Sequence, residues 1–261
     1  MRVLAQLFLV LTSLLPGAVP QQHCVGAPSS PALDHVVVVV RDLELASAAF
    51  ESQGFRLKPG RLHANNLLNR HIKFRDGSEI ELMNVKGAPG DAMAKRYAAL
   101  IESGEDAVYV ALKVPDIASP QREVARLGLE AHQSASGSWR FLGFPSSSPA
   151  AAVFFSDGDA AIKDPPALVS HHPDVAGLAE AWIEGGSALG ELLAGLGATR
   201  CGAARSFDGE VGVRWALSRG TIVIVPGRPP ARPRLLGVVL QRRAAGETPV
   251  YRYREFWVRY E

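Results

Sequence analysis

Two cysteines, Cys24 and Cys201, are all that the 261 residues contain. One bridge is therefore the most that thiol pairing offers, and it needs an oxidising compartment. No charge excess is present: 28 Lys and Arg stand against 26 Asp and Glu, a formal net charge of +2. The arginines are scattered except for a C-terminal group from Arg228 to Arg259, which reads as a solvated face. Neither a nucleic-acid patch nor a funnel for acidic substrates follows from such a balance. No apolar run reaches the about 20 residues that span a bilayer, so no integral membrane segment is predicted in the mature chain. The opening MRVLAQLFLVLTSLLPGAV has Arg2 ahead of an apolar stretch and Pro16 behind it, the pattern of a secretory leader over residues 1–20. Export to the periplasm or the exterior is the expectation, with Cys24 and Cys201 able to pair if Cys24 lies on the mature side of the cut. Cys24 follows Gln-Gln-His, not the small residues of a lipid-attachment site. A Gly-x-Ser-x-Gly elbow is absent, and the glycines of GSALGELLAGLG lack the strand-then-helix placement of a dinucleotide site.

What the chain does have is apolar content, 47% of residues, enough for a sizeable core. It is organised as a repeat. Leu33 to Val40 reads as a strand whose run of five valines needs cover on both faces. Asp42 then caps a helix over 43–53, with Leu43, Leu45, Ala46, Ala49 and Phe50 predicted on its apolar face. Strands follow at Phe55 to Lys58, Asn69 to Arg75 and Glu79 to Val85, the last two joined by a tight Asp76-Gly77 turn. A linking helix, Asp91 to Glu102, leads to a second copy of strand, helix, strand, strand, strand: Ala107 to Val114, a helix from Pro115-Asp116 to about Leu127, and strands near Glu130, at Trp139 to Phe144 and at Ala152 to Ser156. A third copy runs from Leu178 to Val225, and Leu235 to Gln241 opens an incomplete fourth. Repetition at about 60 to 70 residues is the main architectural signal. It predicts an α+β protein of repeated βαβββ modules, two within 31–160 and the third with part of a fourth within 170–261. The curled mixed sheets of such modules surround a cleft suited to a small-molecule ligand. Self-association is left open.

The stretch LDHVVVVVRDLELASAAFESQGF, followed by GRLHANNLLNRHIKFRDGSEIELMNV, resembles the glyoxalase-like branch of the vicinal oxygen chelate superfamily. The likeness is close over residues 32 to 85 and rests on module order alone beyond them. It implies that His35, opening the first strand, and Glu81, in the fourth strand's Ile-Glu-Leu, are ligands of a divalent metal ion (Zn, Ni, Mn or Fe). His63 and Asn69 match the family's middle pattern, and His71, on the Asn69 face of its strand, joins them as cleft lining. An ion held this way would polarise a substrate with adjacent oxygens, in a lyase, isomerase or dioxygenase reaction.

The second module breaks the pattern. Its counterpart of His35 falls within Ala107 to Tyr109, where no His stands, and its counterpart of Glu81 falls near AVFFSD, where Asp157 is the nearest acid. Two ligands alone hold a metal weakly. Either His63, His71, Asp157 or a histidine of the pair His171-His172 completes the site on folding, or the protein has lost its metal and sequesters a ligand instead. Each candidate also has an ordinary reading: His35 as a hydrogen-bonded rim residue, Glu81 as the solvent side of an alternating strand, His63 as an exposed loop residue, and His71 with Asn69 as a satisfied polar pair.

Overall fold

A computed structural model describes residues 24–104, 107–158, 164–171, 174–205, 209–227, 233–242, 250–254 and 256–261. The predicted leader lies outside them. The first module is β1 (Ala32–Val39), α1 (Leu43–Ser52), β2 (Lys58–Leu62), β3 (Leu67–Lys73) and β4 (Glu79–Val85). The linking helix α2 (Ala92–Ser103) leads into β5 (Ala107–Lys113), α3 (Ala118–Arg126), β6 (His132–Ser136), β7 (Trp139–Gly143) and β8 (Val153–Asp157). The third copy is β9 (Val175–Gly185), α4 (Ser187–Gly195), β10 (Thr199–Arg205), β11 (Val211–Ala216) and β12 (Thr221–Pro226). After it come β13 (Arg234–Arg242), β14 (Val250–Tyr253) and β15 (Phe256–Tyr260).

The modules join in pairs, edge to edge through their first strands. One curled sheet has the order β2-β3-β4-β1-β5-β8-β7-β6, and the other β10-β11-β12-β9-β13-β15-β14. Within each module the first strand runs parallel to the last, as β1 does to β4 and β5 to β8, while β1 and β5 meet antiparallel. The fold is α+β, as the repeat predicts.

The valine run is explained by what covers its two sides. Val36, Val38 and Val40 point into a core shared with Val110 and Leu112 of β5 and with Leu178, Ala181, Val238 and Leu240 of the second sheet. Val37 and Val39 point the other way, onto the curled inner face, where Ala94 and Tyr97 of α2 lie over them. The linking helix therefore fills part of the cleft instead of merely bridging two modules.

Local sequence accounts for most boundaries. Asp42 Oδ1 accepts from Leu45 N at 2.9 Å, and Asp91 Oδ1 accepts from Ala94 N at 2.8 Å, so each caps the helix that follows. Two expectations are corrected. Leu45 is 67% exposed, and the buried face of α1 is Leu43, Ala46, Ser47 and Phe50. Ser47 takes the inward place because its Oγ donates to Leu43 O at 2.6 Å, which satisfies the buried hydroxyl. The second strand begins at Lys58 instead of Phe55, because Phe55 turns inward against Phe50, ring centroids 5.9 Å apart, with its N–H bonded to Phe50 O.

Cys24 and Cys201 form a disulfide, their Cα atoms 5.7 Å apart. It fastens the segment before β1 to β10 of the other sheet, closing a loop of 177 residues in sequence. Constraining so long a loop in the unfolded chain stabilises the fold by about 2–5 kcal/mol. Cys201→Ser is expected to lower the urea midpoint accordingly, and reductant is expected to shift the wild type to the same value and leave the variant unmoved.

Candidate functional site

On the inner face of the first module, strand alternation and register gather polar groups that are far apart in sequence. β1 and β4 pair with His35 opposite Glu79 and Val37 opposite Glu81. β3 and β4 pair with His71 opposite Glu81 and Asn69 opposite Met83. Ile80 and Leu82 are fully buried on the opposite face, so Glu81 must look inward, as the alternation predicts.

His35 is held at one ring nitrogen and faces a carboxylate with the other. Nδ1 lies 2.8 Å from Asp34 Oδ2, and Nε2 points toward Glu81 Oε2 at 3.9 Å. Glu81 is oriented in turn, with Asn69 Nδ2 donating to its Oε1 at 2.7 Å, and Arg61 N donating to Asn69 Oδ1 at 3.0 Å. Gly60 permits that last contact, since a Cβ there would come within 2.2 Å of Asn69 Oδ1. Beside this chain His71 Nδ1 is 3.3 Å from Glu79 Oε2, a contact too poorly aligned to count as a hydrogen bond. Lys73 pairs with Glu79, and Lys58 with Asp164. The side chains of His35 and Glu81 keep 15% and 13% of their surface exposed, so the pair is reachable from solvent at its edge.

The electrostatics follow from this crowding of carboxylates. Burial works against a charge on His35, but the Asp34 hydrogen bond and the charges of Asp34, Glu79 and Glu81 outweigh it and raise the imidazole to about 9. Burial likewise opposes the Glu79 carboxylate, yet His71, His35 and Lys73 bring it down to about 2. Tyr97, leaning in from α2, is pushed well up by burial and then by Glu81 and Tyr109. His63 is pushed down by burial and by Arg61, and its Nε2 is buried without a hydrogen-bond partner among the described residues. Asn69 thus bonds to Glu81, His71 stands opposite Glu81 across the β3–β4 pair, and His63 lies close enough to feel the charge of both Glu81 and His71.

Two other candidates stand elsewhere. Asp157 accepts from Arg140 Nε and Ile117 N, both at 2.9 Å, and so anchors the start of α3. His171 is buried between modules, where Nδ1 accepts from Arg56 N at 3.0 Å and Nε2 donates to Lys73 O at 2.7 Å. Both its nitrogens are committed to backbone, and burial pushes its pKa down, so it is a neutral structural histidine. His172 lies outside the described residues.

The repeat shows what the second module supplies in place of ligands. Tyr109 precedes Asp116 by the same interval that separates His35 from Asp42, seven residues. Glu81 lies opposite Val37, two residues beyond His35, and Phe154 lies opposite Ala111, two residues beyond Tyr109. Tyr109 and Phe154 are therefore the counterparts of His35 and Glu81. Their rings meet edge to face at 6.2 Å, Phe154 meets the His35 ring at 5.6 Å and Phe141 at 6.3 Å, and Tyr97 meets Tyr109 at 5.9 Å. These two residues were hidden in the sequence because an aromatic in a strand reads as core; the interval to the capping aspartate was the available signal.

This arrangement fits a resident metal ion poorly. A lasting site takes three or four protein donors, and among the described residues no three His, Cys, Asp or Glu side chains converge on one point. His35 and Glu81 present two donors, and where a second pair would stand there are two rings. Neither of the two cavities described in the molecule, about 320 and 370 Å³, is lined by His35 or Glu81.

The raised pKa of His35 has a sign. Its ordinary value is 6.5, so the stabilisation is fully present below about pH 6.5 and is lost as pH rises through about 9. Urea unfolding of wild type and His35→Gln at pH 6 and pH 9.5 is expected to show a difference between them that shrinks by on the order of 1–3 kcal/mol at the higher pH.

A family model described as a glyoxalase-like domain matches residues 33–191. No curated protein matches the chain. Among solved structures, a hypothetical protein from Staphylococcus aureus is 12% identical with a TM-score of 0.60, over 88% of this chain and 99% of that one. A mutant of 4-hydroxymandelate synthase from Streptomyces coelicolor is 11% identical with a TM-score of 0.56, over 82% of this chain and 71% of that one. Methylmalonyl-CoA epimerase from Mycobacterium tuberculosis is 18% identical with a TM-score of 0.42, over 54% of this chain and 95% of that one. At such identities the likeness is one of fold. With the family model spanning both modules of the first sheet, the chain belongs to the glyoxalase-like domain family.

Proposed function

We propose that the protein binds a planar, ring-containing small molecule on the inner face of the first sheet and holds it without a resident metal ion. The observation that carries this reading is the replacement of the second module's donors by Tyr109 and Phe154, two half-buried rings that extend from His35 toward Phe141. The inner face is polar at His35, Glu81 and Asn69 and aromatic at Tyr109 and Phe154, and the hollow of this proposal lies between the two. A ring stacked on Phe154 would present its polar edge to His35 and Glu81, and offset or edge-to-face contacts of this kind contribute about 0.5–1.5 kcal/mol each beyond area burial.

A second reading is favoured by one specific feature. The Asp34 brace on His35 Nδ1, with Nε2 turned toward Glu81, is how proteins orient histidines that ligate metals. On this reading the bound molecule's own adjacent oxygens would complete the donor set of His35 and Glu81, and the protein would be a metal-dependent lyase, isomerase or dioxygenase. The Cys24–Cys201 disulfide, which a reducing cytosol would not maintain, supports export to the periplasm or the exterior as the setting for either.

Metal analysis of the purified protein combined with calorimetric titration of 2,3-dihydroxynaphthalene separates the two. The proposal expects less than about a tenth of an equivalent of metal, binding of the diol without added metal, and about tenfold weaker binding by Phe154→Leu, the equivalent of 1.4 kcal/mol. Close to one equivalent of metal, lost in His35→Ala, would overturn it in favour of the enzyme.

A further inference from the structure

The cavity of about 320 Å³ is lined by Tyr109 together with residues of α2 and the start of β13, and none of His35, Glu81 and Phe154 lines it. Its floor is apolar, from Leu100 of α2, Val108 of β5 and Ala151. At its rim stand Arg96, Arg234 and Ser146, and Tyr109 forms a wall shared with the hollow. The volume lies at the low end of small-molecule sites, about 300–1,000 Å³. At the ~30 Å³ that one water takes up in the liquid, it suits a body of on the order of ten non-hydrogen atoms.

The two arginines are placed differently. Arg234 is paired, its Nε donating to Glu184 Oε2 at 2.6 Å. Arg96 meets no carboxylate among the described residues. Its guanidinium lies 5.0 Å from the centre of the Tyr109 ring, and Nη1 donates to Phe144 O at 2.9 Å. One backbone bond and one ring hold the group in place and leave most of its five N–H donors unused. A half-buried guanidinium, fixed in direction and without a counter-charge, at the mouth of an apolar floor, is the arrangement that recognises an anion carried on an apolar body.

We propose that this cavity is a second binding site, for a small monocarboxylate with an aromatic or short aliphatic body. The carboxylate meets Arg96 at the rim, and the body lies on Leu100, Val108 and Ala151 against Tyr109. The site needs neither His35 nor Glu81, so it stands apart from the reading of the hollow.

Phenylacetate, with ten non-hydrogen atoms of the required kind, is the probe, and neutral 2-phenylethanol is its control. Both are titrated into the full-length protein and followed by the chemical shifts of Tyr109 and Leu100. Phenylacetate is expected to bind at least tenfold more tightly than the alcohol. Arg96→Gln is expected to remove that preference and leave alcohol binding unchanged. Ala99→Trp, an exposed helix position lining the cavity that can be filled without disturbing the fold, is expected to abolish both. His35→Ala is expected to leave both unchanged. Equal affinity for acid and alcohol, undiminished binding by Ala99→Trp, or no binding of either compound would overturn the proposal. Loss of phenylacetate binding in His35→Ala would place the anion in the hollow and overturn it as well.

Discussion

Everything in the first sheet depends on β1 being buried on both sides while it hydrogen-bonds to a last strand on one edge and to a second module on the other. Its alternate residues serve two different environments. Val36, Val38 and Val40 bind the two sheets into one core, and Val37 and Val39 hold α2 against the inner face. Because the side-chain period is two, no residue of β1 can be shifted without exchanging these faces. His35 stands at the end of the inward series, where the cover of α2 gives way to polar neighbours. Its position is thus fixed by the packing of valines farther along the same strand.

The polar chain that runs from Asp34 through His35 to Glu81, Asn69 and the Arg61 backbone is a product of the same register. Four elements contribute to it, with hydrogen bonds joining Asp34 to His35 and the Arg61 backbone through Asn69 to Glu81, and a 3.9 Å ion-pair contact between the two halves. Such chains keep side chains in one rotamer, which matters more for recognition than for stability. On the second module's side the equivalent positions carry no charge. The internal symmetry of the backbone is therefore preserved while its chemistry is not, and the inner face is polar on one module and aromatic on the other. One backbone can carry different chemistries in this way, because fold and site are specified by different residues.

Much of this was legible in the residues alone. The alternation Ile80-Glu81-Leu82 fixes the direction of Glu81, the Asp42 and Asp116 caps mark where each module turns from strand to helix, and the order of elements announces the repeated module, though which modules pair emerges only from the strand order of the two sheets. What could not be read depended on contacts across the fold. Leu45 obeys the helical period but finds no partner above it. The His171 pair resembles a metal motif, and only the position of Arg56 and Lys73 shows that His171 is occupied by backbone. The reach of α2 into the cleft follows from where Tyr97 lands, which no local pattern records.

The path of the chain before β1 carries a further meaning. Gly26 N bonds to Leu217 O, Ala27 N to Gly197 O, and Ser218 N to Pro31 O, so the segment lies along the second sheet before it enters the first. Leu33 N then bonds to Arg219 O, and the Arg219 guanidinium returns to Leu33 O and Asp76 O. The first described residues are thus docked on loops of the third module, far later in the chain. Such long-range closure slows folding. A nascent chain lacking the second half has no berth for its beginning, so a fragment cut between the sheets would not reproduce the first sheet as found in the whole.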